Sequence, residues 1–207
     1  AAIQVLTGIP AAWGVFQQPV MDEYGLSEQG AGYAFGILIA AFGVGCVLGG
    51  FLQDSRGPRC AALWGTALLC GGFFAAAMLP GGSAGSFFLA FSIPAGLGTA
   101  FLYPSIQSCA QKWYAGRKGL ATGVIGGAVG LSGAFLTVFV RTAVSGFGIV
   151  QGIRGAFWAL GAITLPVCLA GSLLLQDPPQ DAEKQQQNGK NAIDLSPWQM
   201  QIGRAHV

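Results

Sequence analysis

The sequence has 207 residues and a net charge of +2, with 53% hydrophobic and only 9% charged residues. Soluble domains carry roughly a quarter charged residues, so this chain lacks the charged surface that a soluble globular protein needs. It has no basic patch with interleaved aromatic residues, which excludes a nucleic acid as the expected partner.

Uncharged apolar stretches of the length that crosses a bilayer core follow one another along the chain. None shows a polar face at helical period, as a helix packed on a soluble core would. The first stretch covers residues 1–20 and is interrupted by Pro10. The others cover residues 30–52, 60–79, 86–109, 119–140 and 155–175. The pattern predicts an all-α membrane protein, a six-transmembrane-helix bundle over residues 1–176, with the lipid bilayer as its surroundings.

Polar segments separate and follow the apolar stretches. Ser27 is placed to cap the second helix, and residues 111–118 and 145–154 are expected to link the last three helices. After Gln176 the chain turns to proline, glutamine and charged residues, so residues 177–201 are predicted to be a cytosolic linker running toward a missing seventh span. Residues 202–207 look like the translation of a sequencing adapter, and we expect the natural chain to continue past Gln201.

Lysine and arginine residues fall in alternate loops. Seven lie on one side, namely Arg56, Arg59, Lys112, Arg117, Lys118, Lys184 and Lys190, whereas the other side has only Arg141 and Arg154. Because short cytosolic loops of membrane proteins are enriched in basic residues, both ends of the six-span bundle are expected in the cytosol.

Glycines are frequent in the spans, and several are four residues apart. Gly119, Gly123 and Gly127 form one such series on the fifth span. Small residues at this spacing let helices approach closely in lipid. The series is compatible both with static packing and with a sliding interface.

Neutral polar side chains inside the spans are the candidates for lining a substrate cavity. Tyr103 and Gln107 are four residues apart and share one face of the fourth span, and Trp13 and Gln17 lie on the first. Phenol, indole and amide groups donate hydrogen bonds to a polar or anionic solute without burying a charge in lipid. Hydrogen bonding between helices and anchoring at the bilayer interface are the alternatives.

Residues 50–59 read GFLQDSRGPR and resemble the cytosolic loop signature of the major facilitator superfamily. We call these residues the signature loop. Its matching positions, which the resemblance assigns to a cytosolic gate, are Gly50, Asp54, Arg56, Gly57 and Arg59. Gly57 permits a turn, Asp54 can cap a helix or hold a basic partner, and the arginines anchor the loop. Ser55 departs from the pattern, since it stands where the signature has its first arginine.

Three further stretches are similar to the oxalate:formate antiporter branch, which is close to the monocarboxylate porters. They are GIPAAWGVFQQP at residues 8–19, KWYAGRKGLATG at residues 112–123 and DLSPWQM at residues 194–200. The second contains Lys112, Arg117 and Lys118 in the next cytosolic loop. The resemblance implies that the chain is the N-terminal half of a secondary transporter for a small organic anion. Such a transporter works by alternating access, and the partner of this half is a C-terminal half of the same chain.

Two other classes of function are alternatives to transport. A membrane-embedded enzyme would need catalytic groups or metal ligands in the spans, and the five cysteines show no metal-like or redox-like spacing. We therefore expect no enzyme activity, no catalytic residue, no metal and no cofactor. A receptor or scaffold that does not transport stays open, because a fold does not fix a function.

Overall fold

A computed structural model describes residues 2–79, 84–147 and 149–175, which belong to one compact unit, Ala1–Gln176. Within these residues the chain forms helices and no strand. The helices are α1 (Ala2–Thr7), α2 (Ile9–Tyr24), α3 (Glu28–Arg56), α4 (Pro58–Met78), α5 (Ala84–Phe87), α6 (Ile93–Trp113), α7 (Lys118–Phe147) and α8 (Ile149–Leu174). The predicted linker at 177–201 and the expected adapter residues at 202–207 lie outside the described residues.

Within the residues that the structure describes, five helical segments are long and apolar enough to cross a membrane. They are Glu28–Arg56, Pro58–Met78, Ala84–Trp113, Lys118–Thr142 and Gly152–Leu174. The third of them combines α5 and α6 through a π-helical turn, Phe88–Ser92, which precedes Pro94. A proline lacks the N–H that an α-helix needs, so a widened turn is expected just before it. The prediction of an all-α chain with several membrane-crossing helices is confirmed.

The first apolar stretch is divided into two helices rather than one. Gly8 separates α1 from α2 with φ −75° and ψ 37°, and Pro10 lies in the first turn of α2. Because Pro10 has no N–H, the carbonyl of Leu6 has no helical donor at that position, and α1 ends at Thr7. The interruption predicted at Pro10 is therefore centred two residues earlier.

The predicted link at residues 145–154 lies largely between the membrane-crossing segments Lys118–Thr142 and Gly152–Leu174. It is helical at both ends, since α7 continues to Phe147 and α8 begins at Ile149. Arg154 lies within α8. Its long side chain carries the guanidinium away from the helix axis, and the guanidinium pairs with Glu23 on α2.

Helix α6 packs closely on α3 and α4 through glycines. A methyl group added at Gly98 would lie 2.5 Å from the backbone nitrogen of Leu69 on α4, and one added at Gly45 would lie 2.6 Å from the Cβ atom of Ala100. By contrast, Gly123 and Gly127 on α7 have nothing within 4 Å of such a methyl group. Gly45 and Gly98 thus let α3, α4 and α6 approach closely, whereas Gly123 and Gly127 lie on an open face of α7.

Aromatic side chains fill the core between α2, α4, α8 and the segment formed by α5 and the π-helical turn. The ring centroids of Phe91 and Phe157 are 5.0 Å apart, and those of Phe87 and Phe91 are 5.2 Å apart. Phe16 stacks on Phe157 at 5.9 Å, and Phe73 lies 6.0 Å from Phe91. All five rings have no exposed surface, so this cluster ties the first span to the rest of the bundle.

Charged side chains contact both ends of α8. Near its beginning, Arg154 Nε lies 2.6 Å from Glu23 Oε1, and after its end Arg59 Nε donates to the carbonyl oxygen of Leu175 at 2.5 Å. At about 1.5 Å of rise per residue, the two positions on α8 are about 30 Å apart, which matches the thickness of a bilayer's hydrocarbon core. The charges therefore lie where the two membrane surfaces would be.

Candidate functional site: a cavity at mid-depth of the bundle

A cavity of about 360 Å³ opens between α1, α2, α3, α6 and α7 near the middle of the bundle. It is lined by Gln4, Thr7, Gly8, Pro10, Ile39, Phe42, Thr99, Tyr103 and Val129. Phe42 lies halfway along α3, fourteen residues from Glu28 and fourteen from Arg56. The cavity is therefore at the depth where substrate sites of membrane carriers are found.

Three buried polar side chains give the cavity its hydrogen-bonding character. The hydroxyl of Thr7 donates to Gln4 Oε1 at 3.1 Å, and this bond orients the amide of Gln4. Gln4 is only 1% exposed, yet its Nε2 has no hydrogen-bond partner among the described residues. Thr99 is 5% exposed, and its hydroxyl also lacks a partner there.

The unpaired donors indicate what the cavity can accept. An amide nitrogen carries two N–H donors and a threonine hydroxyl carries one, while Tyr103 presents a phenol on the same wall. A buried donor without an acceptor costs about 1–3 kcal/mol, so a bound solute with acceptor oxygens would recover part of that free energy. None of the described residues that line the cavity carries a charge.

The predicted cavity residues do not all meet in this cavity. Tyr103 lines it, with its ring centroid 6.3 Å from that of Phe42. Trp13 is buried instead in the aromatic core, stacked between Phe35 at 6.0 Å and Phe91 at 6.4 Å. Gln17 and Gln107 are partly buried and are not among the lining residues.

Gln4 and Thr99 were missed by the sequence argument. A signal for Thr99 was present, because it lies four residues before Tyr103 and extends the row of polar residues that continues through Gln107. Further along this face, Gln111 Nε2 donates to Thr122 Oγ1 at 3.0 Å and joins α6 to α7. Gln4 lies three residues before Thr7, a spacing that also places two polar groups on one helix face.

The signature loop forms a tight turn between α3 and α4. Gly57 has φ +85°, a value that favours glycine, and Pro58 begins α4. Arg59 binds the carbonyl of Leu175 at the end of α8, while Asp54 and Arg56 are exposed on the last turn of α3. Gly50 has open space beside it.

The second loop lies between α6 and α7. Lys112 is in the last turn of α6, a 3₁₀ turn covers Ala115–Arg117, and Lys118 begins α7. Arg117 and Lys118 are exposed. The basic residues of both loops thus lie at helix ends, where they can meet water or headgroups.

Comparison with known proteins decides the family. The family model described as Major Facilitator Superfamily matches residues 2–206. The chain belongs to the Major Facilitator Superfamily. It is an integral, multi-pass membrane protein of a transporter family, as its apolar helices require.

Individual relatives of this major facilitator include carboxylate transporters. It is 23% identical to the oxalate:formate antiporter of Oxalobacter formigenes, over 88% of this chain and 42% of the relative. It is 29% identical to monocarboxylate transporter 9 of Rattus norvegicus, over 81% of this chain and 32% of the relative. An uncharacterised 38 kDa protein in the 23S RNA operon of Thermoproteus tenax is 30% identical over 80% of this chain. The chain therefore spans less than half the length of these relatives.

Proposed function

We propose that this chain is the N-terminal half of a secondary transporter that moves a small organic anion, a mono- or dicarboxylate, by alternating access. Two relatives are named as carriers of carboxylates, which supports this class of substrate. The observation that carries the proposal is a pair of donors beside a cavity at mid-depth, Gln4 Nε2 and Thr99 Oγ1, which have no hydrogen-bond partner in the described part of the chain.

The donors suit a carboxylate because its oxygens only accept hydrogen bonds when it is ionised. Oriented neutral donors bind an anion without leaving a bare positive charge in lipid when the site is empty. The cavity lining supplies no cation, so we place the group that balances the substrate's charge in the part of the transporter that this chain does not cover. In this division, the present half orients the carboxylate and the other half neutralises it.

The four predicted cavity residues take different places in this proposal. Tyr103 contacts the substrate together with Gln4 and Thr99, and Gln107 lies one turn along α6, on the path toward the basic loops. Trp13 supports the wall by packing against Phe35 and Phe91, and Gln17 stays a candidate on α2.

We also propose that both ends of the chain are cytosolic and that the signature loop forms part of the cytosolic gate. The basic residues of the two loops support this orientation, because cytosolic loops retain lysine and arginine. Asp54 and Arg56 are exposed, so their side chains are accessible to a second half that closes on this face. Lys112, Arg117 and Lys118 would lie at the same membrane surface.

The test is uptake by the full-length protein in liposomes preloaded with oxalate, formate or lactate. Exchange of external labelled carboxylate for internal carboxylate is expected with at least one of the three. Thr99→Val and Tyr103→Phe each remove one hydroxyl, so each should raise KM by roughly three- to tenfold, the equivalent of one hydrogen bond. Ser105→Ala is the matched control, because that buried hydroxyl bonds to the carbonyl of Phe101 on its own helix.

Two results would contradict the proposal. Exchange with unchanged KM in both cavity variants would show that the substrate binds elsewhere in the protein. Binding of a carboxylate without any flux would favour a receptor on this fold over a transporter.

A further inference from the structure

The break in the first span lies directly at the mid-bundle cavity. Gly8 and Pro10 line the cavity, and Gln4 and Thr7 on α1 lie immediately before the break. The break therefore sets the direction in which α1 presents the Gln4 amide, because α1 has only six residues and is joined to α2 through Gly8.

One side chain of α7 contacts the break. Ser132 is fully buried, and its Oγ lies 3.3 Å from the carbonyl oxygen of Gly8 and 2.5 Å from that of Val129 on its own helix. The single hydroxyl proton is shared between the two carbonyls, since a serine hydroxyl donates only one hydrogen. The Gly8 carbonyl also accepts the backbone N–H of Ala12 at 3.2 Å. One carbonyl therefore makes both the first helical hydrogen bond of α2 and the contact with α7.

Gly8 and Ser132 are sterically complementary. A methyl group added at Gly8 would overlap both the Oγ and the Cβ atoms of Ser132, and would lie 3.2 Å from the carbonyl oxygen of Val129. The glycine allows the backbone of the break to come within reach of the hydroxyl. A larger residue at position 8 would push α1 and α7 apart.

From these contacts we infer that Ser132 is a positioning residue for the cavity. Its hydroxyl donates a hydrogen bond to the carbonyl of Gly8, a contact that we call the clasp. The clasp fixes α1, and α1 holds the Gln4 amide toward the cavity. The inference rests on the proposed function only where it concerns substrate affinity. The clasp itself is a property of the helix contact, and it is tested without any substrate.

Accessibility of a cavity residue is the first readout, in the full-length protein carrying Thr7→Cys. Thr7 is only 1% exposed, so labelling of Cys at this position by N-ethylmaleimide should be slow. Adding Ser132→Ala should raise the labelling rate at least about fivefold, because an unclasped break samples more open conformations. The labelling of the natural cysteines is subtracted by using the protein without Thr7→Cys.

A matched serine controls for general loss of packing. Ser172 on α8 is also fully buried and its hydroxyl lies 3.2 Å from that of Thr66 on α4, between helices that do not line the cavity. Ser172→Ala should leave the labelling rate unchanged. If Ser132→Ala and Ser172→Ala label at the parent rate, or rise equally, the clasp is refuted.

A double variant separates the hydrogen bond from the steric fit. Gly8→Ala alone is expected to express poorly because of the overlap with Ser132. Gly8→Ala with Ser132→Gly removes the overlapping atoms, so expression should recover while labelling stays as fast as in Ser132→Ala. Labelling at the parent rate in this double variant would show that the hydroxyl is irrelevant and would overturn the inference.

Uptake of labelled oxalate is the second readout. Ser132→Ala should raise KM at least about threefold with the maximal rate within about twofold, because one positioning bond to the binding group is lost. Ser172→Ala should change neither. Faster labelling together with no flux of oxalate, formate or lactate in any variant would keep the clasp and contradict the proposed substrate class. An unchanged KM with active flux would refute the link between the clasp and binding.

Discussion

The ion pair between α2 and α8 is asymmetric in its exposure to solvent. The side chain of Glu23 is 3% exposed, whereas that of Arg154 is 37% exposed, and their charged atoms are 2.6 Å apart. A buried carboxylate depends on its partner for compensation, while a partly exposed guanidinium can be hydrated. Removal of the Arg154 charge should therefore lower the stability by a different amount from removal of the Glu23 charge.

This asymmetry gives a prediction for stability. Arg154→Gln leaves the Glu23 carboxylate buried without a cation and should lower the free energy of unfolding by up to about 3 kcal/mol. Glu23→Gln leaves a guanidinium that reaches water and should cost less, about 1 kcal/mol. The measurement is thermal unfolding of the full-length protein in detergent.

The double variant Glu23→Gln with Arg154→Gln is the internal control. Because no buried charge remains in it, it should be more stable than Arg154→Gln alone. Equal destabilisation by the two single variants, or a double variant as unstable as their sum, would show that the carboxylate is hydrated and not dependent on Arg154.

At the level of the helices, the glycines divide into two groups with different roles. Gly98 on α6 faces backbone atoms of α4, since an added methyl group would lie 2.5 Å from Leu69 N and 2.7 Å from Gly65 O. Backbone atoms cannot rotate away as a side chain can. Gly98→Ala should therefore separate α4 from α6 and lower stability by about 1–3 kcal/mol, measured as the thermal midpoint in detergent.

Gly127→Ala on α7 is the matched control for Gly98→Ala. It makes the same chemical change in another glycine-rich span, but nothing lies within 4 Å of the added methyl group. Its stability should stay near that of the parent, or rise slightly because alanine favours helix more than glycine. Similar losses in the two variants would mean that helix propensity, and not the close approach, controls the effect.

The spans were predictable because length and apolar composition determine them. Residues 60–79 were expected to cross the membrane, and the helix is Pro58–Met78. The roles of the glycines were not predictable in this way. A spacing of four identifies a smooth face on α7 but does not show which helix covers it. The contacts between α3, α4 and α6 involve Gly45, Gly65 and Gly98 instead.

At the scale of the whole molecule, the candidate site was also predictable only where it depends on the spacing within one helix. The face that carries Tyr103 and Gln107 was visible from spacing within one helix, and Tyr103 does line the cavity. The contribution of Gln4 depends on how α1 meets α6 and α7, which requires knowledge of neighbouring helices. The pairing of Ser132 with Gly8 spans 124 residues and leaves no periodic signal in the sequence.

The arrangement of charges gives a route by which the two halves of the proposed transporter would communicate. Among the described residues, Arg59 donates to the carbonyl of Leu175 at the end of α8, so it holds the signature loop in place. Asp54 is exposed one turn before Gly57, and it is the only carboxylate between Gln29 and Gln176. We expect its partner on the second half in one of the two access states, because a contact made in only one state biases the equilibrium between them.

Asp54→Asn tests this gate in the full-length protein. A charge-assisted hydrogen bond is worth about 1.5–3 kcal/mol, enough to shift the populations of the two states about tenfold or more. Turnover should therefore slow while the affinity for substrate stays within about threefold, because Asp54 is not part of the cavity. The two quantities are measured as exchange rate in liposomes and as binding by calorimetry.

Glu28→Gln is the control, because Glu28 is an exposed carboxylate at the other end of α3. It should change neither the exchange rate nor the affinity. Loss of binding at full expression, or exchange at the parent rate, would show that Asp54 does not hold the gate.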